Sequence, residues 1–251
     1  MSGGGMTAFA FRRIALGDVG STNDEARARL GELDDGPFVV TGERQLQGRG
    51  RRGRDWVSPE GNLYASFTFR PGAPVARLPE LSFVAALSVC DMARLFVPDP
   101  EAVRCKWPND VLIDGAKVSG ILLETARLPD GDYAIIAGIG VNVVSSPAGT
   151  PYPTASLEPR AAGLSVDAVL RALSDRFAAW IVRWRAEGFA VIRDAWLERA
   201  DGLGQPVVAR LADRELHGRF HGLGEDGALM LENESGDVVR IAAADIFRPV
   251  S

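Results

Sequence analysis

The sequence predicts an α+β fold, a sheet with helices packed on it, followed by a small C-terminal β-barrel. Three observations carry that expectation. Strand-like segments follow one another from Val103 to Val144 with only Gly- and Asp-bearing turns between them, a meander feeding one sheet. Two longer segments, 81–96 and 166–187, carry apolar residues at the helical period. At Asp201-Gly202-Leu203-Gly204 the pattern changes to short alternating strands. A chain of 251 residues, 46% of them hydrophobic, can bury a sizeable core. At about 150 residues per domain this suggests one large domain with a small companion.

Taken in order, residues 1–8 are glycine-rich and read as flexible, and 9–16 read as a strand. Ser21-Thr22-Asn23-Asp24-Glu25 reads as a helix start, with Thr22 and Glu25 as a capping box, and the helix runs to about Leu30. Residues 38–41 and 63–69 are aromatic and β-branched enough to be strands, with a Gly- and Arg-rich loop between them. The buried helix at 81–96 ends at Pro98-Asp99-Pro100. The meander comprises 103–106, 111–113, 118–124 and 133–144, and 145–163 is a loop. Residues 166–187 form an amphipathic helix with Trp180 and Trp184 one turn apart, and 191–200 a second helix. The small domain has strands at 206–211, 215–223, 228–232 and 238–242, with turns at 224–227 and 233–236.

The formal net charge of −5 gives no overall reason to expect nucleic acid or an anionic membrane as partner, so any basic site is local. No stretch is apolar for the ~20 residues a membrane span needs, and the N-terminus lacks the build of a signal peptide, which predicts a cytoplasmic protein. Cys90 and Cys105 are too few for a disulfide framework and read as small buried groups. The only histidines are His217 and His221, near the C-terminus and spaced as ordinary strand residues. The large domain therefore works without imidazole, which excludes Ser/His and Cys/His nucleophilic catalysis and histidine-ligated zinc.

Gly48-Arg49-Gly50-Arg51-Arg52-Gly53-Arg54-Asp55-Trp56, preceded by Gln45, is the strongest feature. Four arginines between positions 49 and 54 of a net acidic chain are electrostatically costly unless an anion neutralises them, and the interleaved glycines let backbone amides approach that anion. A nucleotide phosphate or a carboxylate fits. The competing reading, a disordered RGG-like tail on RNA, sits poorly with a segment held between two strands.

Together with its surroundings this loop resembles the signature of the biotin protein ligase family. Ser21-Thr22-Asn23, Lys106-Trp107-Pro108-Asn109-Asp110, Lys117-Val118-Ser119-Gly120-Ile121-Leu122-Leu123-Glu124 and Gly138-Ile139-Gly140-Val141-Asn142 match in order. The resemblance runs from about Phe9 to the C-terminus. It implies a catalytic domain at 9–203, a mixed sheet with packed helices like that of class II aminoacyl-tRNA synthetases, and an SH3-like domain at 204–251. It also implies an ATP- and magnesium-dependent enzyme that forms biotinyl-5'-AMP, then transfers biotin to one lysine of a carboxylase's biotin carrier domain. A lipoate-protein ligase is the nearest alternative. The family's repressors carry an N-terminal helix-turn-helix; here the catalytic motifs begin almost at once, so a monofunctional form with no DNA partner is expected. A homodimer is left open.

The resemblance assigns biotin to Ser21, Thr22, Asn23, Gln45, Gly48, Arg49, Gly50, Arg51, Lys117, Gly120 and Gly138. It assigns ATP and the adenylate to Arg49, Arg51, Arg52, Arg54, Trp56, Lys117 and Asn142, with Arg52 and Arg54 nearer the phosphates. Trp56 would stack on adenine and Asn142 hydrogen-bond it. Lys117, Arg51 and Asp110 would be catalytic, and Asp110 the carboxylate for magnesium or for the proton of the incoming amine. Trp107 reads as structural. Thr154-Ala155-Ser156-Leu157 departs from the family's Ala-Thr-Ser-Leu order. Because every position assigned to biotin or the adenylate precedes residue 143, the ligand pocket is expected to be complete without the small domain.

Overall fold

The structure is a computed structural model and describes residues 9–161 and 163–248. The expectation for 1–8 lies outside these residues. The large sheet has seven strands. In chain order its members are β1 (Arg12–Ala15), β3 (Phe38–Gly42), β5 (Leu63–Phe69), β6 (Val103–Lys106), β7 (Asp110–Ile113), β8 (Ala116–Arg127) and β9 (Tyr133–Val141). The short β2 (Asp18–Val19) and β4 (Arg44–Gln45) pair beside it in parallel. The spatial order is β1-β3-β5-β9-β8-β7-β6, with β1 and β3 parallel and the remaining pairs antiparallel, so the sheet is mixed as expected.

Alternation along the strands divides the two faces. Val39, Ala65, Phe67, Ile135 and Ala137 join the main core under α2 (Leu81–Arg94), α3 (Val166–Glu187) and α4 (Phe189–Glu198). Phe11 and Phe177 stack in that core at 5.8 Å between ring centroids, with Phe67 edge-on to both. Phe38, Val40, Ala134 and Ile136, one residue out of phase, form a second cluster with Ala26 of α1 (Thr22–Ala28). The short α1 covers only part of this second face. Where it ends, β9 continues the same alternation with Gly138 and Gly140, leaving a hollow.

The expected capping box does not form. Ser21 holds the N-cap position without a side-chain hydrogen bond, and Thr22 is already the first helical residue. The free amide of Thr22 is satisfied from outside, by Gln45 Oε1 at 2.9 Å.

The C-terminal unit is a five-stranded antiparallel sheet, β13-β12-β11-β10-β14. It comprises β10 (Pro206–Arg210), β11 (Glu215–Leu223), β12 (Leu229–Glu232), β13 (Val238–Ile241) and β14 (Asp245–Phe247); the sequence reading missed β14. It is joined to the large sheet by a shared apolar core. Trp196 lies edge-on to Phe83 and Phe220, and the buried Trp107 donates its indole N–H to Gly227 O at 3.0 Å, the structural part expected of it. Cys90 and Cys105 are buried free thiols, also as expected.

Candidate active site

A cavity of about 500 Å³ opens on the face that α1 leaves uncovered. Its floor is a row of residues paired across the sheet: Tyr64 on β5 faces Gly140 on β9, which faces Gly120 on β8, which faces Asp110 on β7, which faces Lys106 on β6. The glycines are required by what lies above them. A Cβ on Gly140 would come within 2.5 Å of the Trp56 indole, one on Gly120 within 2.8 Å of it, and one on Gly138 within 2.3 Å of Asn23 Oδ1.

Lys117 reaches this row through a β-bulge. It stands three positions before Gly120, a spacing that puts side chains on opposite faces of a regular strand. The register between β7 and β8 shifts, Val111 facing Ser119 and Leu112 facing Lys117, and the extra residue turns Lys117 into the cavity. There its Nζ lies 2.7 Å from Asp110 Oδ1, at an angle that leaves this oxygen without a directed hydrogen bond, and between the rings of Trp56 (5.4 Å) and Tyr152 (5.3 Å).

One end of the cavity is polar and neutral. Ser66 Oγ contacts Thr22 Oγ1 at 2.8 Å and Asn23 Oδ1 at 2.6 Å, and Thr22 Oγ1 reaches Gln45 Oε1 at 3.1 Å. Asn23 Nδ2 and Trp56 Nε1 are buried with no hydrogen-bond partner among the described residues. Such atoms are costly unless a ligand or water satisfies them. The arginine loop crosses above. Gly48 lies so tightly under Trp56 that a Cβ would sit 2.5 Å from its carbonyl oxygen.

The loop arginines are not equivalent. Arg49 binds Asp24 at 2.6 Å, and that bond holds its guanidinium above its ordinary pKa. Arg52 and Arg54 both bind Asp245 of β14, at 3.2 and 2.8 Å. Arg51 donates to Asn109 Oδ1 at 3.2 Å and forms no ion pair among the described residues, and burial pushes its pKa down.

The cavity brings together Ser21, Thr22, Asn23, Gln45, Arg49, Gly50, Arg51, Arg54, Trp56, Asp110, Lys117, Gly120 and Gly138 of the expected residues. Three others do not line it. Gly48 is backing for Trp56. Arg52 turns out to Asp245. Asn142 is buried beneath, where its amide donates to Ala155 O at 3.0 Å and holds the 154–157 loop. The expectation that the pocket is complete without the small domain is overturned, because Arg210, Asp245, Ile246 and Phe247 line it. Sequence reasoning also missed Tyr152 and Lys106. For Lys106 a signal existed, since a tight turn between two strands places it opposite Asp110; the others come from distant loops and a three-residue strand with no local signature.

The glycine floor, the arginine loop and the lysine–aspartate pair all fall within residues 18–142, which match the Biotin/lipoate A/B protein ligase family, and residues 202–248 match the Biotin protein ligase C terminal domain. The chain is 41% identical over 238 residues to the biotin--[acetyl-CoA-carboxylase] ligase of Paracoccus denitrificans, covering 92% of this chain and 98% of that one. It is 32% identical over 216 residues to the bifunctional ligase/repressor of Bacillus subtilis, covering 83% of this chain and 65% of the relative. Among solved structures, the biotin protein ligase of Aquifex aeolicus in complex with biotin and ATP superposes with a TM-score of 0.78 at 28% identity, over 95% of this chain and 99% of that one. The chain belongs to the biotin protein ligase family.

Proposed function

We propose that the chain joins biotin to ATP as biotinyl-5'-AMP and then passes the biotinyl group to a lysine of a carboxylase carrier domain, both steps in the one cavity. The observation that carries this is the division of the cavity into a neutral polar end and a cationic end, with Lys117 between them. At the neutral end the buried, unpartnered Asn23 Nδ2 and the hydroxyls of Ser21 and Thr22 suit the ureido ring of biotin, with Gln45, Gly120 and Gly138 bounding the bicycle. The arginine- and glycine-rich loop favours biotin over lipoate.

Two like charges meet in the first step, a carboxylate and an α-phosphate. A carboxylate oxygen attacks the phosphorus, the bond to the β-phosphate oxygen breaks, and pyrophosphate leaves with the electron pair. Lys117 offsets the negative charge that builds between them, and fixed charges in a cavity act more strongly than in water. Trp56 offers its ring to the adenine, Arg49 and Arg51 close over the adenylate, and Asn142 acts from beneath by holding the 154–157 loop. In the second step the amine of the carrier lysine attacks the acyl carbon, AMP leaves, and Asp110 is placed to accept the proton. No group of three or more metal-ligating side chains occurs among the described residues, and Asp110 is engaged by Lys117. Of these side chains Asp110, a hard oxygen donor, fits magnesium and would hold it beside the ATP phosphates. Magnesium would supply charge neutralisation of the phosphates.

We assign 9–203 to catalysis and 204–251 to a C-terminal domain that also walls the cavity. No helix of the described residues is long and apolar enough to cross a membrane. A carrier-domain substrate and two free thiols suit the cytoplasm. Incubation with biotin, Mg-ATP and a biotin carrier domain is expected to label one lysine and release AMP and pyrophosphate, read by intact mass and phosphate assay. Preferential use of lipoate overturns the reading.

A further inference from the structure

The cations of the cavity and of the loop above it differ in whether a carboxylate already answers them. Lys117 is held by Asp110, Arg49 by Asp24, and Arg52 and Arg54 share Asp245. Arg210, at the same rim, is held by Glu215. Two remain: Arg51, whose guanidinium has the neutral Asn109 as its only polar contact among the described residues, and Lys106, whose ammonium has neither ion pair nor hydrogen bond among them and rests 5.5 Å from the centroid of the Phe247 ring. Both line the cavity on the side towards Asp110 and Asp245. Burial weakens the hold of each on its proton, and the Lys117 charge adds to this at Lys106, whereas Asp110, Asp201 and Asp245 oppose it from a distance. Two part-buried cations that line one cavity and have no counter-ion among the described residues are a seat for an anion.

We infer that Lys106, together with Arg51, seats the β- and γ-phosphates of ATP and holds the departing pyrophosphate, leaving Lys117 for the α-phosphate. The triphosphate then runs from Lys117 along the floor row towards β14, away from the neutral end that takes biotin. Arg52 and Arg54, on this account, serve the loop's attachment to Asp245 rather than the phosphates. The bond broken is that between the α-phosphorus and its bridging oxygen; Lys106 and Arg51 receive the charge the pyrophosphate carries off and make no covalent bond.

The inference rests on the reading of this cavity as the adenylation site, which biotin-dependent exchange of labelled pyrophosphate into ATP tests by itself. The probe for Lys106 is pyrophosphate alone, on the parent protein: acetic anhydride labelling followed by mass spectrometry is expected to show Lys106 protected by pyrophosphate and not by biotin. Lys106→Met is expected to weaken pyrophosphate binding and raise the KM for ATP by about tenfold or more, the scale of one charge-assisted contact. Lys106→Arg is expected to restore most of both. Biotin affinity and single-turnover transfer from preformed biotinyl-adenylate are expected to stay at the parental value in both variants. Absent protection with exchange intact overturns the assignment of Lys106 alone. A parallel fall in transfer would make Lys106 a carrier-docking residue and also overturn it.

Discussion

Lys117 is held from three sides, by Asp110 at 2.7 Å and by the rings of Trp56 and Tyr152. Such a group is pre-positioned and loses little freedom when charge develops beside it, so its effect belongs to the transition state more than to ground-state binding. Lys117→Ala is expected to slow adenylate formation by about 10²- to 10³-fold, the range seen when one fixed electrostatic donor is removed. Calorimetry should find biotin affinity changed by less than about threefold, under 1 kcal/mol. A fall in affinity equal to the fall in rate would make Lys117 a ground-state contact. That this residue belongs to the cavity was legible from its motif. How it reaches the cavity was not, because the bulge that reverses its face is a register shift between β7 and β8 and leaves no mark in β8 alone.

At the scale of the element, β9 shows how one alternating strand builds two environments. Ala134 and Ile136 close the cluster beneath α1, and the next two residues on that face are glycines, so the strand passes from packed core to open floor with no change of backbone. Gly140→Ala is expected to displace the Trp56 indole, which a new Cβ would meet at 2.5 Å, and so to raise the KM for ATP while leaving biotin affinity near the parental value. Gly138→Ala should do the reverse, since its Cβ would meet Asn23 Oδ1 at 2.3 Å. Titration of each variant with biotin and with ATP separates the two; equal effects on both ligands would show that the floor has no such division. The long elements were legible because apolar period and turn residues agree over many positions, as in 166–187. The two-residue β2 and β4 and the three-residue β14 carry no period to read, and the capping box failed because Gln45, distant in sequence, satisfies the Thr22 amide that Glu25 was expected to serve, while the Glu25 amide donates to Ser21 O.

Across the whole molecule, the C-terminal sheet is bound to the catalytic sheet by Trp107, Phe83, Trp196 and Phe220, and through β14 it supplies a wall of the cavity. Gly227 is the tightest point of that junction, with φ of +80° and a prospective Cβ 2.5 Å from the Phe83 ring. Gly227→Ala is expected to destabilise the protein by about 1–3 kcal/mol, through overpacking and a left-handed backbone that alanine adopts poorly. For a chain of this size that is a fall in Tm of about 2–4 °C per kcal/mol, and scanning calorimetry should show one transition in parent and variant alike. Two separated transitions would mean that the sheets unfold independently.

The same glycine sets a condition on exchange of parts between related enzymes. A chimera that joins this catalytic sheet to a foreign C-terminal sheet inherits the hollow over Phe83 but not the residue that fits it. The seam is therefore a matching problem in shape, and a transplanted turn folds onto this chain only if it offers bare backbone where Gly227 now stands.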